Sequence, residues 1–433
     1  MKLNYGKTFL LGFGFFGVSV IWGVYNAFVP VFLDQKFGLD PAVIGFFMTL
    51  DNIAALFIQP PVGAWSDRLR TRLGRRMPFI LVGAPLAAVA FGWIPLAGVL
   101  PLFVAGTTTL LLSMALWRTP VVALMPDITP SPLRSQANGI INFMGGLGAI
   151  MSFLVGASLY EMNPAYPFWM GSALVIVSAL LVFAFIREPK NYEAAEAQPS
   201  LLTSVRELLA DRDRSALRLL LAILFWFIGY SAIEAFFNLY ATNHLGLTEA
   251  NGSRLLGELS LIFVIAALPA GYLGGKFGRR PIIMTGIVLM AALIAAIYLI
   301  PSATLLTPLA PLPAIGVSLA AGAGSKLIVL GVLLMLAGVA WAFININSLP
   351  MVVDMTSAAR IGTYTGLYYL FSTAANIIGP NVNGWIVQLT GNNYNNIMLA
   401  APLFLIAALV LMFGVRRGEA VSTPTASITS TKA

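Results

Sequence analysis

Long apolar runs alternate with short polar bridges along almost the whole chain. A helix that crosses a bilayer needs about 20 apolar residues. The pattern predicts twelve such spans, at about 8–33, 42–64, 78–99, 102–125, 137–160, 168–187, 219–241, 254–275, 281–301, 327–350, 362–388 and 395–415. The first run continues to about Leu33, too long for a cleaved signal, and is read as a retained span. An extended polar stretch, 188–218, divides the spans six and six. It opens as a linker, then places Leu201, Leu202, Val205, Leu208 and Leu209 at helical spacing, a face suited to the membrane surface. The expected architecture is an all-α membrane protein. It has a six-helix bundle at 1–187, a linker with an amphipathic helix at 188–218, a second six-helix bundle at 219–417 and a disordered tail at 418–433.

Two of the polar bridges repeat. PVGAWSDRLRTRLGRRMP, ending at Pro78, recurs in shorter form as PAGYLGGKFGRRP, ending at Pro281. Gly63, Arg75 and Arg76 correspond to Gly271, Arg279 and Arg280. A second stretch, PDITPSPLRSQANG with Asp127 and Arg134, recurs as VDMTSAARIGTYTG with Asp354 and Arg360. Each echo follows the same ordinal helix of its half, which points to a duplicated chain of two helical bundles, the plan of many secondary transporters.

Composition agrees with that picture. The 433 residues are 58% hydrophobic and 10% charged, against about 25% charged in a soluble domain, so lipid must be the main solvent. The net charge of +8 is not a nucleic-acid patch. Its lysines and arginines concentrate on the bridges of one side, which by the positive-inside bias makes those bridges and both termini cytoplasmic. There is no cysteine, and His244 is the only histidine, which excludes disulfides and thiol catalysis and leaves little room for a metal. No nucleophile–base set and no phosphate-cradling loop appears. Neither an enzyme, a metal nor a cofactor is expected.

The residues Gly63-x-x-Ser66-Asp67-Arg68, leading to Gly74-Arg75-Arg76-x-Pro78, resemble the loop between helices two and three of the major facilitator superfamily. The stretch from Asp127 to Arg134 is similar to that superfamily's loop between helices four and five. Asp67 to Ile80, together with the Asp127 loop, also resembles the sucrose/proton symporters and the wider glycoside–cation symporter group. The resemblance implies a multi-pass carrier of the plasma (cytoplasmic) membrane whose partners are a sugar or glycoside, a proton and membrane lipids. A monomer is expected. The resemblance further implies a cavity lined by helices one, four, seven and ten. Asp67, following the end of helix two, needs an outside partner, a helix N-terminus or arginines; the resemblance implies a cytoplasmic latch in which it meets the N-terminus of helix eleven near Gly362. The gating set is then Gly63, Asp67, Arg75, Arg76, Asp127 and Arg134, with Lys276, Arg279, Arg280, Asp354 and Arg360 in the second half. The plainer alternative is a set of solvated loop charges, each worth little. Gly63, lacking a side chain, would let helix two approach a neighbour closely.

Ionisable groups inside spans are costly and are functional candidates by default. Asp51, Arg118, Glu234 and Glu258 fall there. One reading is that an acid carries a proton and meets Arg118 in only one conformation. The rivals are a static Asp51–Arg118 ion pair and a local Arg254–Glu258 pair. A sugar site needs amides for hydroxyls and flat aromatic faces for ring C–H surfaces. Trp22, Tyr25, Asn26, Asn52, Asn142, Tyr230, Asn238, Asn345, Tyr368 and Asn376 supply these types on helical faces, where interhelical packing is the competing role. These features predict proton-coupled uptake of a sugar or glycoside by alternating access. A drug or lipophile exporter is the alternative within transporters, although its cavity should be more apolar. A non-transporting receptor or scaffold is the alternative outside them, with the intramembrane charges against it.

Overall fold

The computed structural model describes residues 3–129, 133–188, 205–206, 208–209, 213–311, 326–356 and 360–418. Twelve long helices run through them: α1 (Tyr5–Val31), α2 (Pro41–Arg68), α3 (Met77–Trp93), α4 (Leu100–Ile128), α5 (Arg134–Met162), α6 (Tyr166–Phe185), α7 (Ser215–Asn243), α8 (Glu249–Phe277), α9 (Arg279–Leu299), α10 (Val329–Val353), α11 (Ile361–Leu389) and α12 (Asn396–Phe413). Eleven combine the length and hydropathy needed to cross a membrane. The other, α11, is 29 residues long but carries Thr363, Tyr364, Asn376, Asn381 and Asn383 among its apolar positions. Between α9 and α10 a small antiparallel hairpin pairs β1 (Pro308–Pro311) with β2 (Lys326–Ile328), an addition to the all-helical expectation. Most of the linker and nearly all of the tail lie outside the described residues.

The helices pack in two groups. In the first, α1 lies against α5 and α6, and α3 against α4 and α6. In the second, α10 lies against α8 and α9, and α7 against α11 and α12. The groups meet where α2 packs on α11, α5 on α8 and α1 on α7. Glycines make the first of these junctions possible. A side chain on Gly45 would strike the Pro380 carbonyl, and one on Gly384 the Pro41 carbonyl, so the α2 and α11 backbones touch. Gly63 does not play this part: a Cβ there would meet only Thr119 Cγ2, at an ordinary 3.5 Å.

Three boundaries differ from the sequence pattern. Helix α2 is broken into Pro41–Phe47, Leu50–Phe57 and Gln59–Arg68. At the first break the Thr49 hydroxyl donates to the Phe46 carbonyl at 2.7 Å, a side-chain bond that competes with the helical ladder. The second break precedes Pro60 and Pro61, which lack the N–H that would continue the helix. Helix α4 runs on to Ile128, so Asp127 belongs to a helix end rather than a loop. Helix α8 starts at Glu249, which places Arg254 within it.

Candidate functional site

At one end of the molecule the two sequence echoes come together in space. In the first half Arg75 Nη2 donates to Asp127 Oδ1 at 2.6 Å, and Arg76 Nε to Asp127 Oδ2 at 3.0 Å. The Arg76 guanidinium also donates to the Ser66 hydroxyl and to Asp67. Arg75 lies 3.8 Å from the same Asp67 carboxylate. In the second half Arg279 pairs with Asp354, the equivalents of Arg75 and Asp127. Arg280 turns instead to the last carbonyls of α12, Met412 O at 3.2 Å and Phe413 O at 3.0 Å. Lys276 is exposed, with its ammonium over the Phe277 ring, and Arg360 is exposed at the start of α11. The Arg134 side chain lies outside the described residues.

The first-half cluster has a member that the sequence did not single out. Glu188, just past α6, accepts from the backbone N–H groups of Arg75 (2.9 Å), Arg76 (3.0 Å) and Met77 (2.8 Å). These are the free donors that open α3, and a carboxylate suits them by hydrogen bonding and by the helix dipole. Gly74 makes the approach possible: its φ is +113°, and a side chain would collide with the Glu188 carboxylate. The only hint in sequence was an acid immediately after a span in an otherwise basic loop.

Near the middle of the bundle a second cluster spans both halves. The break in α2 sets Asp51 in the first turn of a helical segment, and Asn52 Nδ2 donates to its carboxylate at 2.7 Å. Arg118 of α4 is close enough to Asp51 to interact electrostatically but forms no ion pair with it among the described residues, so the static pair is not the arrangement seen. Across the junction, Asn26 Nδ2 of α1 donates to Glu234 Oε1 of α7 at 3.3 Å. Glu234 also interacts electrostatically with Asp51. Tyr369 of α11, 57% exposed, interacts with Arg118 from the other half. Aromatic faces border this cluster. Tyr230 and Trp341 stack at 3.8 Å with planes 3° apart, and Trp22 meets Tyr25 edge-on at 5.6 Å. Trp22 Nε1 and Tyr25 OH are buried without a hydrogen-bond partner among the described residues, an arrangement that leaves donors for something bound.

Other expected lining residues are engaged in packing. Asn238 is buried and donates to Ala27 O across the junction at 2.6 Å, so it fastens α7 to α1. The Tyr368 hydroxyl lies 3.1 Å from Ser348 Oγ within the second half. Asn142 is exposed on α5 and donates to its own helix at Asn138 O. Asn345 and Asn376 are half-buried. Glu258 is fully buried, and neither of its oxygens has a hydrogen-bond partner among the described residues. Its expected neighbour Arg254 instead forms a two-pronged pair with Glu161 of α5, at 2.6 and 2.7 Å.

Polar contacts joining the halves cluster at the end away from the basic bridges. Besides Asn238–Ala27 and Arg254–Glu161, Asn243 donates to Asp34 at 3.0 Å and Tyr394 to the same carboxylate at 3.3 Å. Asn381 donates to Thr49 at 3.2 Å, Gln388 accepts from Ala42 N at 3.3 Å, and Ser253 donates to Phe153 O at 2.9 Å. At the basic end, Asp67 is held by arginines of its own half, not by the start of α11, where Gly362 is exposed. The expected latch is therefore not made in this conformation. Among the described residues, the side-chain hydrogen bonds between the halves gather toward the end away from the basic bridges.

A family model of the Major Facilitator Superfamily matches residues 11–325 and 259–431. A putative nucleoside transporter of Escherichia coli is 28% identical over 295 residues, covering 66% of this chain and 66% of that protein. A sucrose transport protein of Arabidopsis thaliana is 27% identical over 192 residues, 39% of this chain but only 32% of that protein. Among solved structures, a bacterial homolog to the human lysosomal transporter Spinster, in an inward-facing and occupied conformation, superposes with a TM-score of 0.72. It is 16% identical, with 95% of this chain and 97% of that chain covered.

Proposed function

The chain belongs to the Major Facilitator Superfamily, and from that premise we propose that it imports a sugar or glycoside together with a proton by alternating access. The observation that carries this reading is the central cluster. Asp51, Asn52, Arg118, Asn26 and Glu234 bring acids, a guanidinium and amides from both halves into mutual electrostatic or hydrogen-bonding range, with no ion pair fixing Asp51 to Arg118. An acid free of a permanent counter-charge can bind and release a proton, and amides beside stacked aromatics suit hydroxyl-bearing rings. Among the described residues Glu234 is hydrogen-bonded to the opposite half through Asn26, so a movement that separates the halves changes its surroundings. The basic bridges face the cytoplasm on this reading, which makes the conformation inward-facing and leaves both termini inside the plasma membrane.

Glycoside here includes N-glycosides. The sucrose relative and the putative nucleoside relative are both named for substrates with a sugar ring. A drug or lipophile exporter would call for a more apolar centre than this one. Uptake of a labelled panel of disaccharides, aryl glycosides and nucleosides into proteoliposomes, with and without an inward proton gradient, tests the proposal. Accumulation of one class only under the gradient is expected. Uptake indifferent to the gradient would remove proton coupling.

A further inference from the structure

The pair Arg254–Glu161 and the bare acid Glu258 lie at the α5–α8 junction, outside the central cluster. Arg254 and Glu258 are four residues apart on α8, neighbours on one helix face. Glu161 belongs to α5 of the opposite half. In the conformation seen, α5 and α8 are pressed together at this end: Ser253 donates to Phe153 O, and a side chain on Gly257 would collide with Leu154. Arg254 gives both its terminal nitrogens to Glu161. Glu258 is 0% exposed, faces the backbone of Gly331 on α10, and has no hydrogen-bond partner at either oxygen among the described residues. Any charge on it is uncompensated here, an expensive arrangement inside a protein.

Opening this end requires α5 to leave α8, and Glu161 leaves with it. Arg254 then loses its carboxylate while the nearest acid on its own helix is one turn deeper and still unpaired. The geometry points to a partner switch: Arg254 holds Glu161 when this end is closed and Glu258 when it is open, so that Glu258 stabilises the open state. Arg254 and Glu258 are thus positioning residues that set the balance between the two states. They act through the gate and not through the cargo. The inference rests on the alternating-access reading, and its test separates the two.

The chain has no cysteine, so introduced thiols report alone. Spin labels at Met162→Cys on α5 and Leu389→Cys on α11, both exposed positions at this end, give a distance between the halves by double electron–electron resonance in liposomes. Glu161→Gln should raise the long-distance population and Glu258→Gln should lower it, each by about threefold, the scale of a partly exposed ion pair. Glu258→Asp keeps the carboxylate and should restore the wild-type balance, which a purely steric role for the side chain would not require. In an Arg254→Gln background both glutamate variants should fall silent. If Glu161→Gln opens this end but Glu258→Gln leaves the distances unchanged, the switch is wrong and alternating access stands. If no variant ever populates a longer distance, with or without substrate, both are wrong.

Discussion

Glu188 closes the start of α3 in place of a capping side chain, and its removal has a calculable cost. In Glu188→Ala three backbone N–H groups, of Arg75, Arg76 and Met77, lose their acceptor. Loss of a helix cap costs about 1 kcal/mol. Loss of an anion from a partly buried helix N-terminus adds up to about 1 kcal/mol more. Water can reach the half-buried site, so the sum of about 2 kcal/mol is an upper figure for this change. At about 2–4 °C per kcal/mol for a domain of 150–250 residues, the apparent Tm should drop, by at most roughly 4–8 °C. Glu188→Gln separates the two contributions. Its one remaining oxygen can serve Arg76 and Met77, as Oε1 does now, while the amide would face the Arg75 N–H. A loss about half as large is expected. The assay is thermal unfolding in detergent followed by the fluorescence of the eight tryptophans. A Glu188→Ala protein that melts within about 1 °C of wild type would show that these hydrogen bonds carry no net stability.

Arg76→Lys should destabilise by about 2–4 kcal/mol, because one ammonium cannot reach Ser66, Asp67 and Asp127 together as the planar guanidinium does; chemical denaturation of the purified variant measures it. Asn238→Ala removes the bond to Ala27 O from the closed end and should raise labelling by an impermeant maleimide of a cysteine placed at Ser253, with unchanged labelling counting against a fastening role. Asp213 is held below its ordinary carboxyl value by hydrogen bonds from Ser215 first and by Arg417 second. Its contribution to stability is therefore complete above the ordinary carboxyl range and fades as pH falls through the lowered folded value. Asp213→Asn should accordingly be less stable than wild type at pH 6 and converge with it near pH 2, as read by thermal melts across that range.

Much of the fold was legible because lipid imposes a simple rule on sequence. Apolar runs of span length gave the helices, and the repeated Arg75–Asp127 and Arg279–Asp354 pattern already joined residues that the structure brings into ion pairs. The breaks in α2 were harder to read. Pro60 and Pro61 were visible, but the Thr49 back-bond depends on one rotamer. Partners were harder still, since a carboxylate in a loop looks the same whether solvated or clasped. Glu188 and Glu161 passed unnoticed for that reason, and the partner offered for Arg254, as one of two competing readings, was its helical neighbour Glu258 and not an acid about ninety residues away in sequence. Gly63 was assigned a close approach that Gly45 and Gly384 make instead. Spacing within a helix is encoded locally, whereas the contact between two halves depends on which conformation the carrier occupies.

The central claim is that substrate and proton enter together through the cluster around Asp51. The most direct measurement is the internal pH of proteoliposomes loaded with a fluorescent pH indicator, with buffer matched across the membrane. Adding transported substrate outside should acidify the interior in step with substrate entry. Asp51→Asn should abolish that acidification while retaining exchange of labelled for unlabelled substrate. Substrate that enters the wild-type vesicles without any change in internal pH would contradict the account.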